Sequence, residues 1–289
     1  MAASQDDATR WLSWIGRSEA AEDVIDPVRA RALHAALDLP GPPPGRGDPL
    51  PPLWHWLYFW TMPPASTLGP DGHPERGGFL PPIDLPRRMW AGSRVAFQRP
   101  LPIGSMAERR STIADVRMAQ GRSGRLAFVT VRHEISAANQ VCIVDEHEIV
   151  YRAPPTSGEA AQPGKPAPHQ APWRHDWRAD PVLLFRYSAL TFNGHRIHYD
   201  RTYVTEVEGY PGLVVHGPLL ATLMVELVRE RSPKAEITAF EFRAGRPIFD
   251  GAPFAICGAP TSDGSSAELW IADAEGSIAV TGRVEIAVR

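Results

Sequence analysis

The sequence predicts an α+β protein in which a helix followed by antiparallel strands occurs twice along the chain. Three observations lead to this prediction. Each half of the 289 residues has one stretch with helical apolar spacing and then several runs rich in β-branched and aromatic residues. A segment rich in Pro, Gly and Ala separates the halves at 154–172. An Arg-Pro pair follows the first strand of each half, at Arg99 and Arg246, which indicates an internal duplication.

The first half, 1–153, is predicted to begin its main elements at a helix. Asp26 is a good N-cap and Pro27 suits the first helical position, while Val28, Leu33, Leu37 and Leu39 would form the apolar side. The Pro-rich stretch 39–52 is predicted to be irregular, as part of a long insertion before the strands. Four strands are predicted at 93–99, 109–118, 126–135 and 141–151, with a turn at 121–124.

The second half, 173–289, is predicted to repeat this plan after the linker. A helix should begin at His216-Gly217-Pro218, because the apolar residues that follow it recur at helical spacing. Strands are predicted at 237–243, 252–258, 267–272 and 277–288, the last two joined by a turn at 273–276. The apolar face of the helix comprises Leu219, Leu220, Leu223, Met224, Leu227 and Val228.

Composition and charge exclude several classes of function. The formal net charge is −3, which argues against nucleic acid as a partner because phosphate binding needs a concentrated basic surface. No apolar run reaches the roughly 18 residues of a membrane span, and the N-terminus does not resemble a signal peptide. Cys142 and Cys257 lie in apolar runs and are predicted to be buried free thiols. We therefore expect a cytoplasmic protein.

The densest group of catalytically competent residues lies at 185–200, which we predict to be a polar irregular loop. It contains the string FNGHRIHYD (192–200) and is followed by VVHGPL (214–219) at the start of the predicted helix. A helix N-terminus presents unpaired N–H groups that can stabilise a negatively charged oxygen. Histidine near such a site can transfer a proton at neutral pH. The two strings therefore predict an acid–base site.

These strings resemble the motif of the MaoC-like hydratases. The catalytic histidine of the motif falls on His198, its trailing aspartate on Asp200 and its His-Gly pair on His216 and Gly217. Its first aspartate falls on Asn193, and this departure is similar to the branch of type 2 3-hydroxyacyl-thioester dehydratases, mesaconyl-C4-CoA hydratases and itaconyl-CoA hydratases. The strings at 50–59, 68–74, 77–92 and 121–135 also resemble that branch, so the resemblance extends from about residue 11 to the C-terminus.

The resemblance implies two fused hot-dog domains, with the catalytic residues in the second. It implies that His198 activates water and returns the proton, and that the Gly217 N–H binds the thioester oxygen. Asn193 would position water through its amide oxygen, since an amide is not a charged base. Alternatively, Asp200 or His195 takes the role of the missing aspartate. The partners implied are an acyl-CoA or acyl-carrier-protein thioester and a second copy of the chain in a homodimer, with no metal or redox cofactor.

Other readings of these residues remain open. His195, His198 and Asp200 have a spacing that metal ligands can have, although a further ligand is missing. His195 and His216 are candidates for substrate binding. His216 is alternatively a buried helix-cap residue, and Asp200 is alternatively a loop-capping acid. Two interpretations concern larger sets. The aromatic run is interpreted as core or subunit interface, with a ligand platform as the alternative. The arginine-rich group either binds coenzyme A phosphates or a substrate carboxylate, or it is solvated. The first set is Trp54, Trp56, Phe59 and Trp60, and the second is Arg87, Arg88, Trp90 and Arg94.

The function that this resemblance implies is reversible hydration of an α,β-unsaturated acyl thioester. The first substrate expected is a C4–C5 acyl-CoA of the mesaconyl-C4-CoA or itaconyl-CoA type. One alternative is a 3-hydroxyacyl-thioester dehydratase of fatty-acid or polyketide synthesis. Another, from a different class, is a non-catalytic subunit that binds acyl thioesters. A hot-dog thioesterase would differ from all of these by releasing free thiol.

Overall fold

A computed structural model describes residues 10–121, 124–153 and 164–287 of the chain. Within these residues one antiparallel sheet has ten strands, in the order β1-β3-β4-β5-β2-β7-β10-β9-β8-β6. The strands are β1 (Ser18–Val24), β2 (Arg87–Phe97), β3 (Met106–Gly121), β4 (Gly124–Ala137), β5 (Gln140–Arg152), β6 (Trp173–Arg178), β7 (Glu236–Ala244), β8 (Pro253–Pro260), β9 (Ser266–Ala272) and β10 (Ile278–Ala287). Residues 10–12 are helical, and the α-helices that follow them are α1 (Pro27–Ala36), α2 (Pro181–Leu190) and α3 (Gly217–Arg231).

The predicted α+β fold, a double hot-dog, is confirmed. All eight predicted strands are present, and both predicted helices begin where the capping residues place them. Helix α3 packs against β6, β8, β9 and β10, and the six apolar residues predicted for its buried face are all buried. Burying such a face against a sheet is the main source of stability for an amphipathic helix.

Helix α1 has the predicted N-terminus. Asp26 accepts hydrogen bonds from the backbone N–H of Val28 and Arg29, at 2.9 and 3.1 Å. The helix packs against α2 and against the short turn Trp54–Leu57. Val28, predicted on its apolar side, is exposed, whereas Leu33 is buried. The buried face of α1 is thus narrower than the spacing of apolar residues predicts.

The two half-sheets join where β2 pairs with β7. Gly92 lies opposite Arg243 in this pairing, and its close neighbour is the backbone of Phe242. A Cβ at Gly92 would lie 2.2 Å from the Phe242 carbonyl oxygen, so the two strands approach closely because Gly92 has no side chain. One core cluster also contains residues of both halves. The boundaries predicted at 153 and 173 stay a prediction, since 154–163 lie outside the described residues.

The strands β1 and β6 and the helix α2 were not predicted from the sequence. The two strands are the outer strands of the sheet and carry many charged residues, so they lack the apolar alternation that marks a half-buried strand. Helix α2 occupies part of the stretch predicted as an irregular loop, which is wrong for 185–190. Its N-terminus has the same Asp-Pro signature as α1, because Asp180 accepts a hydrogen bond from Leu183 N at 2.8 Å and Pro181 follows it.

Other predictions can be compared directly with the structure. Cys142 and Cys257 are free and buried, as predicted. Trp54 and Phe59 of the aromatic run are buried in the core. Gly121 pairs with Gly124 at the β3–β4 connection, whereas residues 122–123 between them lie outside the described part. Among the described residues, no helix has both the length and the apolar character needed to cross a membrane.

Candidate active site

The loop after α2 and the residues before α3 are held together by backbone hydrogen bonds. Val214 N donates to Ile197 O at 3.0 Å, and Val215 N donates to Ile248 O at 2.8 Å. These bonds place the short turn Arg196–His198 beside the N-terminus of α3. His198 and Gly217, which are 19 positions apart in the sequence, consequently line the same cavity.

His198 is held as a neutral imidazole with one defined tautomer. Its Nδ1 lies 2.7 Å from the Val214 carbonyl oxygen, and because a carbonyl only accepts, Nδ1 carries the proton. The other ring nitrogen, Nε2, therefore has the lone pair. Burial lowers the pKa of His198 to about 4, although the bond to Val214 opposes this shift. At neutral pH the side chain can accept a proton but does not already carry a second one.

This pKa predicts the acid limb of the activity profile. A folded-state pKa depressed to about 4 keeps His198 in its base form throughout the neutral and mildly acidic range. We expect kcat/KM to be constant there and to fall only as the pH approaches about 4. An ordinary histidine would instead lose half of its base form near about pH 6.5. Initial rates in constant-ionic-strength buffers check this prediction, and a decline centred near the ordinary value would contradict it.

His216 supports the His198 ring from behind. The two imidazoles are stacked, with ring centroids 3.7 Å apart and an interplanar angle of 17°. His216 Nε2 lies 2.8 Å from the Ser188 hydroxyl. Burial is the main cause, and the nearby His198 a smaller one, that keeps the pKa of His216 well below its ordinary value. This ring therefore also stays neutral. His216 is the buried N-cap residue of α3, as predicted, although its side chain makes no capping hydrogen bond.

Gly217 supplies a backbone donor to the cavity. It is the first residue of α3, so its N–H has no partner within the helix, and Pro218 behind it has no N–H at all. A Cβ at Gly217 would meet no atom within 4 Å. Because Gly217 lines the cavity, a carbonyl oxygen bound beside it would face an N–H group and the positive end of the helix dipole.

Asn193 occupies the position where the motif has aspartate, and its amide is hydrogen-bonded within the loop. Its Oδ1 accepts a hydrogen bond from His195 N at 3.0 Å. This bond uses one of the two lone pairs of the amide oxygen, so the expectation that the oxygen positions water stays a prediction. Asn193 lines the cavity, where its amide NH2 group can donate a hydrogen bond to a ligand.

Asp200 is a loop-capping residue and does not line the cavity that contains His198. Its Oδ2 accepts hydrogen bonds from Arg196 at 2.8 and 3.0 Å, and its Oδ1 accepts one from Tyr203 N at 3.0 Å. These bonds hold the turn that carries His198. The geometry therefore favours the capping interpretation of Asp200 over a catalytic one, and it does not assemble Asp200 with His195 and His198 as metal ligands.

A loop of the first half completes the site. His73 Nδ1 lies 3.1 Å from Asp71 Oδ2, and the His73 ring lies 4.0 Å from the ring of His195. Burial, and to a smaller extent the nearby His73, lowers the pKa of His195 to about 2. Gly72 has a positive φ of 85°, and a Cβ there would lie 2.0 Å from the Gly194 carbonyl oxygen. Close backbone contact between the two loops thus places His195 and His73 together.

Neither Asp71 nor His73 was identified as a site residue from the sequence. Both lie in the string LGPDGHP, which was recognised only as part of the family resemblance. The signal that could have found them is the combination of two glycines with an Asp-x-His pair, because the glycines permit a close approach and the pair can form an oriented imidazole. Asp71, His73 and His195 bring their potential ligand atoms within 4.8 Å of one another.

The cavity that His198 and Gly217 line, called the main cavity, has a volume of about 630 Å³ and is lined by residues of both halves. Of the arginine-rich group predicted to bind substrate, Arg88 and Trp90 line it. Arg87 instead pairs with Glu208 at 3.4 Å, and Arg94 pairs with Glu146 at 2.9 Å outside this cavity. Neither of these two arginines lines the main cavity, and their predicted contact with substrate stays a prediction. Two further arginines that the sequence analysis did not select, Arg76 and Arg246, also line the main cavity.

The arrangement combines a neutral base, a backbone donor and a cavity of ligand size. A carbonyl oxygen bound at Gly217 would be polarised as negative charge develops on it. His198 Nε2 could remove a proton from water near the carbon chain attached to that carbonyl. The described residues therefore form a site suited to adding water to a polarised double bond or removing it.

Comparison with known proteins agrees with this chemistry. The sequence profile of the family described as "Hydroxyacyl-thioester dehydratase type 2" matches residues 53–250. The chain is 47% identical over 281 residues to the mesaconyl-C(4)-CoA hydratase of Chloroflexus aurantiacus, covering 96% of this chain and 98% of the relative. It is also 31% identical over 249 residues to the mitochondrial hydroxyacyl-thioester dehydratase type 2 of Schizosaccharomyces pombe, covering 77% and 80%.

The fold has a solved counterpart of nearly the same extent. A MaoC-like dehydratase from Phytophthora capsici superposes with a TM-score of 0.67, and the match covers 97% of this chain and 99% of that chain. The two sequences are 13% identical, so this similarity shows the fold alone.

Proposed function

Because the chain belongs to the family of type 2 hydroxyacyl-thioester dehydratases, we propose that it hydrates an α,β-unsaturated C4–C5 acyl-CoA of the mesaconyl-C4-CoA type. The chain is an acyl-CoA hydratase of the hydro-lyase class. The observation that carries the proposal is the placement of the neutral His198 and the Gly217 N–H on one cavity. The substrate class is supported by the 47% identity to the mesaconyl-C(4)-CoA hydratase of Chloroflexus aurantiacus.

The mechanism uses the His198 imidazole and the Gly217 N–H in one reversible reaction. The Gly217 N–H binds the thioester oxygen and stabilises the enolate-like charge that forms when the C2=C3 double bond opens. His198 Nε2 takes a proton from water as the water oxygen bonds to C3. The same imidazole then gives the proton to C2, so one water is consumed and His198 returns to its neutral form. In the reverse direction the 3-hydroxyacyl thioester loses water.

Asn193 and the two histidines His73 and His195 assist this chemistry by positioning water and His198. The Asn193 amide NH2 donates a hydrogen bond to the oxygen of the incoming water or of the 3-hydroxyl group. His195 stays neutral because burial keeps its pKa near 2, so it places no positive charge beside His198. His73 and Asp71 hold His195 in this place. Proton transfer is thereby concentrated on His198.

The main cavity has positively charged side chains suited to binding coenzyme A. Arg76, Arg88 and Arg246 line it, and guanidinium groups bind phosphate oxygens in a forked geometry. Arg76 donates to the carbonyl oxygens of Ile83 and Pro86, at 2.7 and 2.6 Å, which fixes its position. The thioester end would lie at Gly217, with the phosphates toward these arginines.

The test is the loss of ultraviolet absorbance from the enoyl thioester. Purified protein is mixed with crotonyl-CoA, mesaconyl-C4-CoA or itaconyl-CoA, and free thiol is measured in parallel. Loss of absorbance without thiol release is the expected result, with mesaconyl-C4-CoA or itaconyl-CoA preferred. Release of thiol would instead indicate a thioesterase. No reaction with any of the three would contradict the proposed function.

A second candidate is dehydration of a 3-hydroxyacyl group on a carrier protein, in fatty-acid or polyketide synthesis. The observation that favours it is the similarity to the hydroxyacyl-thioester dehydratase of Schizosaccharomyces pombe. The same absorbance assay with crotonyl groups on acyl carrier protein distinguishes the two. A kcat/KM higher for the carrier-bound group than for any CoA ester would favour this candidate. The free thiols Cys142 and Cys257 support a cytoplasmic location for either function.

A further inference from the structure

A second cavity, of about 220 Å³, adjoins the reaction site. It shares Trp90, His147, Asn193 and Pro218 with the larger cavity. The shared residues include the catalytic loop and the start of α3. A substrate with its thioester at Gly217 can therefore extend its acyl group into this second cavity while coenzyme A stays in the larger one.

The wall of the second cavity contains an arginine on β3, Arg109. Its Nε atom is buried and has no hydrogen-bond partner among the described residues. Its guanidinium carbon lies 5.6 Å from the centre of the Phe59 ring. Burial lowers the pKa of Arg109, although not enough to change its charge at neutral pH. A buried cation is costly unless an anion or several acceptors compensate it.

Asp145, a buried carboxylate that lines the same cavity, is bound by other donors through Oδ2, whereas its Oδ1 has no hydrogen-bond partner among the described residues. Its Oδ2 accepts hydrogen bonds from His55 Nε2 at 3.1 Å, Trp56 Nε1 at 2.8 Å and His147 Nε2 at 2.7 Å. Burial raises the pKa of Asp145, but the charge and hydrogen bonds of His147 and His55 lower it well below the ordinary value. Asp145 is thus an ionised group whose charge three donors stabilise.

Two other carboxylates influence Arg109 only electrostatically. Glu19 and Asp23 raise its pKa, as does Asp145. Asp23 is bound to Arg29, with the Nη1–Oδ2 distance at 2.6 Å, and Glu19 is exposed on the outer strand β1. Arg109 therefore has negative charge in its surroundings but no carboxylate hydrogen-bonded to it among the described residues.

We propose that Arg109 binds the free carboxylate of a dicarboxylic acyl-CoA and thereby determines the preference for such a substrate. This inference rests on the proposed function, because it places the thioester at Gly217. A guanidinium binds a carboxylate through two parallel hydrogen bonds, and the match is stronger in a cavity that excludes water. His133 lies on the same wall, held by the Ser111 hydroxyl 2.8 Å from its Nδ1. It offers a second polar contact to the carboxylate.

The test compares two substrates that differ in the carboxylate. Mesaconyl-C4-CoA has one, whereas crotonyl-CoA does not. For Arg109→Met we expect kcat/KM with mesaconyl-C4-CoA to fall by about 10²-fold or more. With crotonyl-CoA we expect a change of less than about twofold, because the thioester site is untouched.

The matched control is Arg110→Met, on the next residue of the same strand. Arg110 is exposed and pairs with Glu108 at 3.1 Å, so both substrates should react as with the wild type. Equal loss with both substrates in Arg109→Met, or no loss with either, would overturn the proposal. A wild type that hydrates crotonyl-CoA but not mesaconyl-C4-CoA would also overturn it and would leave the hydratase function standing. Failure of the wild type with both substrates would contradict the proposed function instead.

A second variant decides the question if Arg109→Met does not fold. Arg109→Lys keeps the positive charge but has no forked pair of donors. We expect its preference for mesaconyl-C4-CoA over crotonyl-CoA to fall by about tenfold. Unchanged preference in a folded Arg109→Lys protein would overturn the proposal. Circular dichroism and thermal unfolding establish which variants are folded.

Discussion

His198→Ala is expected to lower kcat for hydration by about 10²–10⁴-fold, the range typical of a lost general base. The reason is the single tautomer that the Val214 carbonyl imposes, since Nε2 of His198 is the base that the site presents. KM should change little, because the Gly217 N–H and the cavity that binds coenzyme A remain. The measurement is the initial rate of absorbance loss with saturating enoyl-CoA.

The matched control for this substitution is His169→Ala, which removes an exposed imidazole away from the cavity. It should retain wild-type kcat. The thermal midpoint of His198→Ala should also lie within a few degrees of the wild type, because a loss of folded protein would imitate a loss of catalysis. Residual activity above about a tenth of wild type would mean that another group supplies the base.

Gly92→Ala is expected to lower the free energy of unfolding by about 1–3 kcal/mol or more, the range for inserting atoms into a well-packed region. The added Cβ would lie 2.2 Å from the Phe242 carbonyl oxygen, and that neighbour is backbone. It cannot rotate away as a side chain would. The β2–β7 pairing must therefore shift. Trp90, two residues earlier on β2, lines both cavities, so activity should fall together with stability.

Urea denaturation followed by tryptophan fluorescence measures this effect. Gly45→Ala is the control, since a Cβ there has its nearest neighbour at 3.8 Å and its φ is not positive. Its unfolding free energy should stay within about 0.5 kcal/mol of the wild type. A Gly92→Ala protein as stable as this control would show that the joint between the half-sheets can relax at little cost.

The regular elements were predictable where local chemistry and burial agree. Helix α3 follows from its apolar spacing, and α1 from its Asp-Pro start. The strands of each half follow from β-branched and aromatic runs. The outer strands β1 and β6 were not predicted, because a strand at the edge of the sheet is solvated on one side. It therefore carries charged residues instead of the apolar alternation that marks a strand. Helix α2 was not predicted, although its capping pair Asp180 and Pro181 is the same signal that predicts α1.

The candidate site was predictable only as far as its second-half strings. His198 and Gly217 were identified because they belong to two neighbouring strings of one motif. His73 and Arg109 could not be assigned in the same way, since their position depends on how the halves pack together. The engagement of the Asn193 oxygen by His195 N is likewise a result of loop geometry, which the residue types alone do not determine.

The character of the two outer strands has a consequence for behaviour at high concentration. Each is short, at seven residues for β1 and six for β6, and each carries charged side chains such as Glu22, Arg174 and Asp176. Short, charged edges oppose the addition of a strand from another molecule, which is the first step of many fibres. The sheet is therefore protected at both ends from edge-to-edge aggregation. A homodimer, implied by the family resemblance, is expected to use another surface.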